Sequence, residues 1–181
     1  MKIAITGGIA EGKSTVVAFL SQLGASVASA DEIAREVMHE PAVIAELERC
    51  FGGDLLADRA RFRREVLQSP EARRRLNKIV HPGVAERIEQ IPSGYVEVPL
   101  LYEARLQHLF DAVWVVTCGP EEQARRLLSR YGQTADVRAL RAWQLPTLSK
   151  IRIADVVIRT DTTFEIVQIS TEQAHRGLFS R

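Results

Sequence analysis

The chain has 181 residues, 46% hydrophobic and 26% charged, and 24 basic against 23 acidic side chains leave a formal net charge of +1. That suits one domain of ordinary size with a real core, and a charge so near zero gives no ground for expecting nucleic-acid or membrane-surface binding. Two cysteines far apart, Cys50 and Cys118, show no metal-ligand spacing, no run reaches the roughly 18 apolar residues of a membrane span, and the first strand leaves no room for a leader, so a cytoplasmic protein is the expectation.

Residues 3–6 form a short, mostly β-branched run that reads as a buried strand. Gly7-x-x-x-x-Gly12-Lys13-Ser14 follows and fits the phosphate-binding loop pattern at every fixed position. An amphipathic segment with Val16, Val17, Phe19 and Leu20 then reads as a helix, which completes the strand–loop–helix context. Glycines let backbone N–H groups turn inward around an anion, and the helix start adds partial positive charge. Gly8, Ile9, Ala10, Glu11, Gly12, Lys13, Ser14 and Thr15 are therefore the candidate nucleotide-binding residues. Lys13 supplies a mobile point charge for the β- and γ-phosphates, and Ser14 a hydroxyl for Mg²⁺, a hard cation that prefers oxygen. Glu11 is out of place beside a polyphosphate, and its side chain is expected to point outward.

Leu23-Gly24 closes the helix, residues 25–29 read as a second strand, and residues 30–38 carry Ile33, Val37 and Met38 at helical spacing. Asp31 thus falls where a strand gives way to a helix, at the sheet's carboxyl edge, on the rim expected for the phosphate loop. The same position also suits a helix N-cap. Residues 39–92 read as a helical insertion: a helix from Pro41, a break at Phe51-Gly52-Gly53, then arginine-rich helices over 59–67 and 70–80. His81-Pro82 is expected to end one helix and begin the next. The arginine runs suit either a solvated helix face or a patch for a phosphorylated substrate. Sheet signal returns over 95–101, closed by Tyr102 and Glu103, and residues 112–116 are a fully apolar buried parallel strand. A helix from Pro120 leads into Arg125, Arg126, Arg130, Arg138 and Arg141, a last strand covers 155–158, and a last helix runs over about 163–174. Strands alternating with helices predict a three-layer α/β/α parallel sheet of the phosphate-loop nucleoside triphosphate hydrolase type. A phosphate loop, a rim aspartate, a helical insertion and late arginines that could close as a lid suggest a small-molecule kinase, which must align an acceptor with the γ-phosphate and exclude water.

Several motifs coincide with one family. The chain resembles dephospho-coenzyme A kinase, which phosphorylates the ribose 3′-hydroxyl of dephospho-CoA with ATP in the last step of coenzyme A synthesis. The matching pieces are Thr6-Gly7-Gly8-Ile9 into Gly12-Lys13-Ser14-Thr15, Ala30-Asp31-Glu32-Ile33-Ala34-Arg35, Phe51-Gly52, Leu76-Asn77-Lys78-Ile79-Val80-His81-Pro82, Val98-Pro99-Leu100-Leu101-Tyr102-Glu103, and then Arg130, Gln144, Lys150 and Ala154-Asp155-Val156-Val157-Ile158. The resemblance implies that Asp31 accepts or orients the acceptor hydroxyl, with Arg35 one turn on pairing with it or reaching the acceptor. It implies that His81 lies near the CoA-binding lobe, that Arg130 is a lid arginine on the ATP phosphates, and that Lys150 follows the lid. Leu101, Tyr102 and Glu103 fall on the acceptor side, touching substrate or packing. The implied organisation is a single kinase domain over 1–181, with a helical CoA-binding insertion over about 39–92 and a lid over about 125–150. The implied cofactors are ATP and Mg²⁺, the partner is the small molecule dephospho-CoA, and the expected state is a monomer or weak homo-oligomer. The chain departs from the family at Ser29, where an aspartate is usual, at Ala10-Glu11, where Gly-Ser is common, at Thr160, where an asparagine is usual, and at Leu140, where an arginine is usual and Arg141 stands beside it. The alternatives are another phosphate-loop kinase of nucleosides or nucleotides, and a nucleotide-binding protein with reduced catalysis.

Overall fold

In the computed structural model, which describes residues 1–53, 58–132 and 144–177, five parallel strands form one sheet. They are β1 (Lys2–Thr6), β2 (Val27–Ser29), β3 (Gly94–Glu97), β4 (Ala112–Thr117) and β5 (Val156–Arg159). The spatial order is β2-β3-β1-β4-β5. The chain leaves β1 toward one edge, returns to β3 beside it, then crosses to β4 on its other flank, so β1 sits at the switch point where an open α/β sheet offers a ligand crevice. The β4 sequence, Ala-Val-Trp-Val-Val-Thr, is apolar nearly throughout because both faces of a parallel sheet are covered.

Alternation along the strands sorts the core. Ile3, Ile5, Tyr95, Trp114, Val116 and Ile158 face one way and meet Val16, Phe19 and Leu20 of α1 (Lys13–Gln22) and Val167 of the last helix, Phe164–Gly177. Phe19 and Phe164 join those two helices edge-on, with ring centroids 4.7 Å apart. Among the described residues, the other α-helices that follow β4 are Pro120–Tyr131 and the short Thr147–Ile151. No helix among the described residues is long and apolar enough to cross a membrane.

Contacts divide the chain into two compact units: Met1–Ser29 with Ile91–Arg181, which holds the sheet, and Ala30–Gln90, which is helical. The second comprises α2 (Ala30–Val37), α3 (Pro41–Phe51), α4 (Arg59–Gln68) and α5 (Pro70–Glu89). In chain order, the sheet unit's later helices are α6 (Pro120–Tyr131), α7 (Thr147–Ile151) and α8 (Phe164–Gly177). Leu47, Phe51 and Ala72 centre a separate small core, with Phe51 edge-on to Phe62 at 5.0 Å. Ser69 caps α5 by accepting the Ala72 N–H at 3.1 Å, and Arg87 ties α5 to Glu36 at 2.8 Å and Glu40 at 2.6 Å.

Three expectations are corrected. α5 runs unbroken through His81-Pro82, with Pro82 inside it. Proline removes one N–H and crowds the preceding turn, but Ala72, Val80, Val84 and Ile88 give the helix one continuous buried stripe across that site. Gly83 helps, because a Cβ there would stand 2.9 Å from Val37 Cγ1, so its absence lets α2 pack closely on α5. Second, β3 ends at Glu97 instead of reaching residue 101. Val98 N–H still donates to Ile5 O at 2.8 Å, but Pro99 has no N–H to offer, and the chain turns with Ala104 N–H on Leu100 O at 2.9 Å. Third, α2 begins at Ala30, so Asp31 lies in its first turn and not at its cap.

Candidate active site

Thr6 ends β1, and the loop from Gly7 to Gly12 carries the chain over the carboxyl edge of the sheet into α1. Tight packing dictates the glycines. A Cβ on Gly7 would lie 2.2 Å from the Val116 carbonyl oxygen, and one on Gly12 would lie 2.8 Å from Thr160 Oγ1. The loop therefore rests directly on the ends of β4 and β5. The Lys13 ammonium folds back over the loop and donates to Gly7 O at 3.1 Å and Gly8 O at 2.9 Å. It is held at the loop's centre, at the start of a ten-residue helix, where the helix dipole adds partial positive charge. Ser14, next along, is exposed. Together these groups have the chemistry to receive a polyphosphate.

Ala10 occupies left-handed backbone at φ 62°. An L-residue pays about 1–2 kcal/mol there, whereas glycine does not. Ala10→Gly relieves that strain and gives back part of it as extra freedom in the unfolded chain, so a net gain of about 0.5 kcal/mol and a Tm rise of about 1–2 °C are expected by calorimetry. Unchanged or lower Tm would show that Ala10 is not strained.

Beneath the loop lies the largest correction. Glu11 does not point outward: it is 2% exposed. Its Oε2 accepts from Gly8 N–H and from Thr147 Oγ1 at 2.9 Å, and its Oε1 from Thr117 Oγ1 at 3.4 Å. Carbonyls and side chains around it are tied as well. Ile9 N–H donates to Gln144 Oε1 at 3.0 Å, and Ile9 O accepts from Gln123 Nε2 at 3.0 Å. Thr160 Oγ1 donates to Glu11 O at 2.7 Å and accepts from Arg126 Nη1 at 3.0 Å. Arg126 was legible as one of a run of arginines. Nothing in the sequence marks Thr117, Gln123 or Thr147, which come to the loop from 100 or more residues away.

The family model of dephospho-CoA kinase matches residues 1–165. The chain belongs to the dephospho-CoA kinase family. A dephospho-CoA kinase of Gloeobacter violaceus is 38% identical over 184 residues, covering 95% of this chain and 90% of that one. The solved structure of TT1252 from Thermus thermophilus is 30% identical with a TM-score of 0.79, covering 99% of this chain and 96% of that one. The dephospho-CoA kinase structure from Campylobacter jejuni, at 23% identity and TM-score 0.65 over 97% of this chain and 96% of that one, shares the fold. The reaction follows from membership: this kinase transfers a phosphoryl group from ATP to the ribose 3′-hydroxyl of dephospho-CoA, the last step of coenzyme A synthesis.

The other candidate residues of this kinase are placed as follows. Asp31 and Arg35 are exposed on α2, and no ion pair joins them among the described residues. His81 is half-buried on α5, and burial lowers its pKa, favouring the neutral imidazole near pH 7. Arg130 is exposed in the last turn of α6, with its guanidinium 5.3 Å from the Tyr131 ring centroid. Arg138, Leu140 and Arg141, and with them the middle of the expected lid, lie outside the described residues. Leu101 is fully buried, so its side chain belongs to the packing and not to an acceptor surface. Tyr102 donates to Ile153 O at 3.4 Å. Glu103 Oε1 accepts from Leu145 N–H at 2.7 Å and pairs with the fully buried Lys150 at 2.9 Å. Lys150 and Glu103 thereby anchor the start of α7 to the turn after β3, a pairing that two separate motif matches did not reveal. Burial pushes the Cys118 thiol up to about 11, so it stays protonated and unreactive beside the loop.

Proposed function

We propose that the ATP phosphates lie in the loop from Gly8 to Thr15, with Lys13 on the β- and γ-phosphates and Arg130 closing over them from the lid. Asp31 then orients the ribose 3′-hydroxyl and receives its proton, with Arg35 beside it. The single observation that carries this reading is the Lys13 ammonium held over the Gly7 and Gly8 carbonyls at the switch point of the sheet, where a transferring phosphate gains most from a fixed charge.

Mg²⁺ is the divalent ion that suits this donor set. Among the described residues no group of three or more His, Cys, Asp or Glu is arranged as a metal cage. Ser14 offers an exposed hydroxyl instead, which fits an ion that keeps most of its waters and is otherwise held by phosphate. Bound there, the ion would neutralise phosphate charge.

The helical unit is the acceptor lobe in this reading. α3 and α5 border an open groove of about 520 Å³ lined by Arg49, Arg75, Lys78, Glu46 and Cys50 among others. Lys78 and His81 stand three residues apart on α5, on one face. With Arg49 paired to Glu46, Arg75 and Lys78 supply the positive charge of this partly apolar groove, which suits an acceptor that carries a pyrophosphate. Tyr102 and Glu103, in the turn after β3, are the candidate acceptor residues of the sheet unit, Glu103 through its hold on Lys150. The two free cysteines fit a cytoplasmic enzyme. The test is a coupled assay of the full chain with ATP, Mg²⁺ and dephospho-CoA. ADP release well above the ATP-only background, with coenzyme A as product, is expected. Equal release with and without the acceptor would sink the reading.

A further inference from the structure

Burying a carboxylate costs several kcal/mol unless its lone pairs are used. Glu11 is buried inside the phosphate loop, and its two oxygens take three donors from three separate parts of the sheet unit: Gly8 N–H in the loop, Thr117 at the end of β4, and Thr147 at the start of α7. The same return segment reaches the loop a second time, through Gln144 on Ile9 N–H. Thr117 is fixed in turn, because its hydroxyl accepts the Gly119 N–H at 3.1 Å. The carboxylate is therefore a junction below the loop and not a group facing the ligand. With three donors on it, much of its charge is compensated locally, so its loss removes loop shape more than it removes repulsion.

We propose that Glu11 is a positioning residue for the nucleotide, holding the loop in its phosphate-accepting shape from below and making ATP affinity depend on Thr147. The proposal rests on the reading of the loop as the ATP site. Thr147 acts through Glu11, so its contribution vanishes once Glu11 is gone. Because the loop holds ATP in the ground state and the transition state alike, its distortion weakens binding more than it slows the bound complex.

The experiment is calorimetric titration of the full chain with ATP and Mg²⁺, alongside kcat at saturating ATP. For Glu11→Ala, Kd is expected to rise about tenfold, and for Thr147→Val about threefold, while kcat falls by less than about threefold. The double variant should bind no more weakly than Glu11→Ala alone, because Thr147 acts on the loop through Glu11, and it is the rise in Kd with kcat nearly kept that a purely structural role would not produce. Thr147→Ser, which keeps the hydroxyl, should restore the wild-type Kd to within about twofold. Equal or tighter binding by Glu11→Ala would overturn the proposal, since it would mean that the carboxylate acts on the nucleotide by repulsion. Multiplying effects in the double variant would overturn it too. If Glu11→Ala does not fold, the Thr147→Val and Thr147→Ser pair decides: equal affinities in the two overturn the proposal. A wild-type chain that binds no ATP would instead sink the reading of the loop, a result distinct from any difference among variants.

Discussion

Asp31→Asn should lower kcat with dephospho-CoA by about 10²- to 10³-fold and leave the Kd for ATP within about twofold. The substitution keeps the shape of the side chain and removes its capacity to hold a proton. An acid that serves the acceptor hydroxyl loses rate, because hydroxyl orientation and proton acceptance matter at the transition state and not in ATP binding. The competing account is structural: Asp31 and Glu32 both lie in the first turn of α2, where negative charge suits the helix dipole by about 0.3–1 kcal/mol. That role would lower Tm slightly and leave kcat alone. The side chain is exposed and has no recorded ion pair among the described residues, so Asn can replace it without stranding a buried partner. Stopped-flow measurement of phosphoryl transfer with ATP saturating separates the two accounts. A fall of less than about fivefold would remove Asp31 from the chemistry.

Lys13→Ala carries the other large effect. Its ammonium makes two hydrogen bonds to loop carbonyls, and the residue as a whole is 9% exposed at the centre of the loop. In so dry a place a fixed charge acts on a phosphate with little screening from water. Removing it should cost about 10³-fold in kcat/KM, with part of the loss in ATP affinity, because both the phosphate and the loop lose a contact. Lys13→Arg should recover little of it: the planar guanidinium cannot sit on two adjacent carbonyls and also present a compact charge above them. Activity within about tenfold of wild type in Lys13→Ala would mean that the loop binds through its backbone alone.

The two predictions test different units. Lys13 belongs to the sheet unit and Asp31 to the helical one. The chain joins them directly, since β2 ends at Ser29 and α2 begins at Ala30. Ser29, where the family usually has an acid, is the last residue of the strand.

What the sequence determined by itself was local in physical origin. The strands at β1 and β4, the loop between β1 and α1, and the helices opened by Pro41, Pro70 and Pro120 follow from side-chain periodicity, glycine placement and helix-start chemistry, all of which act within a few residues. The ordered motifs from the phosphate loop to Ala154-Asp155 carried the family for the same reason. Only the tertiary structure decided where partners separated in sequence meet. It kept α5 whole across Pro82, because a buried stripe and the close approach at Gly83 outweigh a missing N–H. It matched Glu103 with Lys150, and it turned Glu11 inward onto Thr117 and Thr147, 106 and 136 residues away. A carboxylate beside a phosphate site goes outward by its own charge. It goes inward when distant donors are brought beneath it, and those donors exist only once the strands and helices have packed.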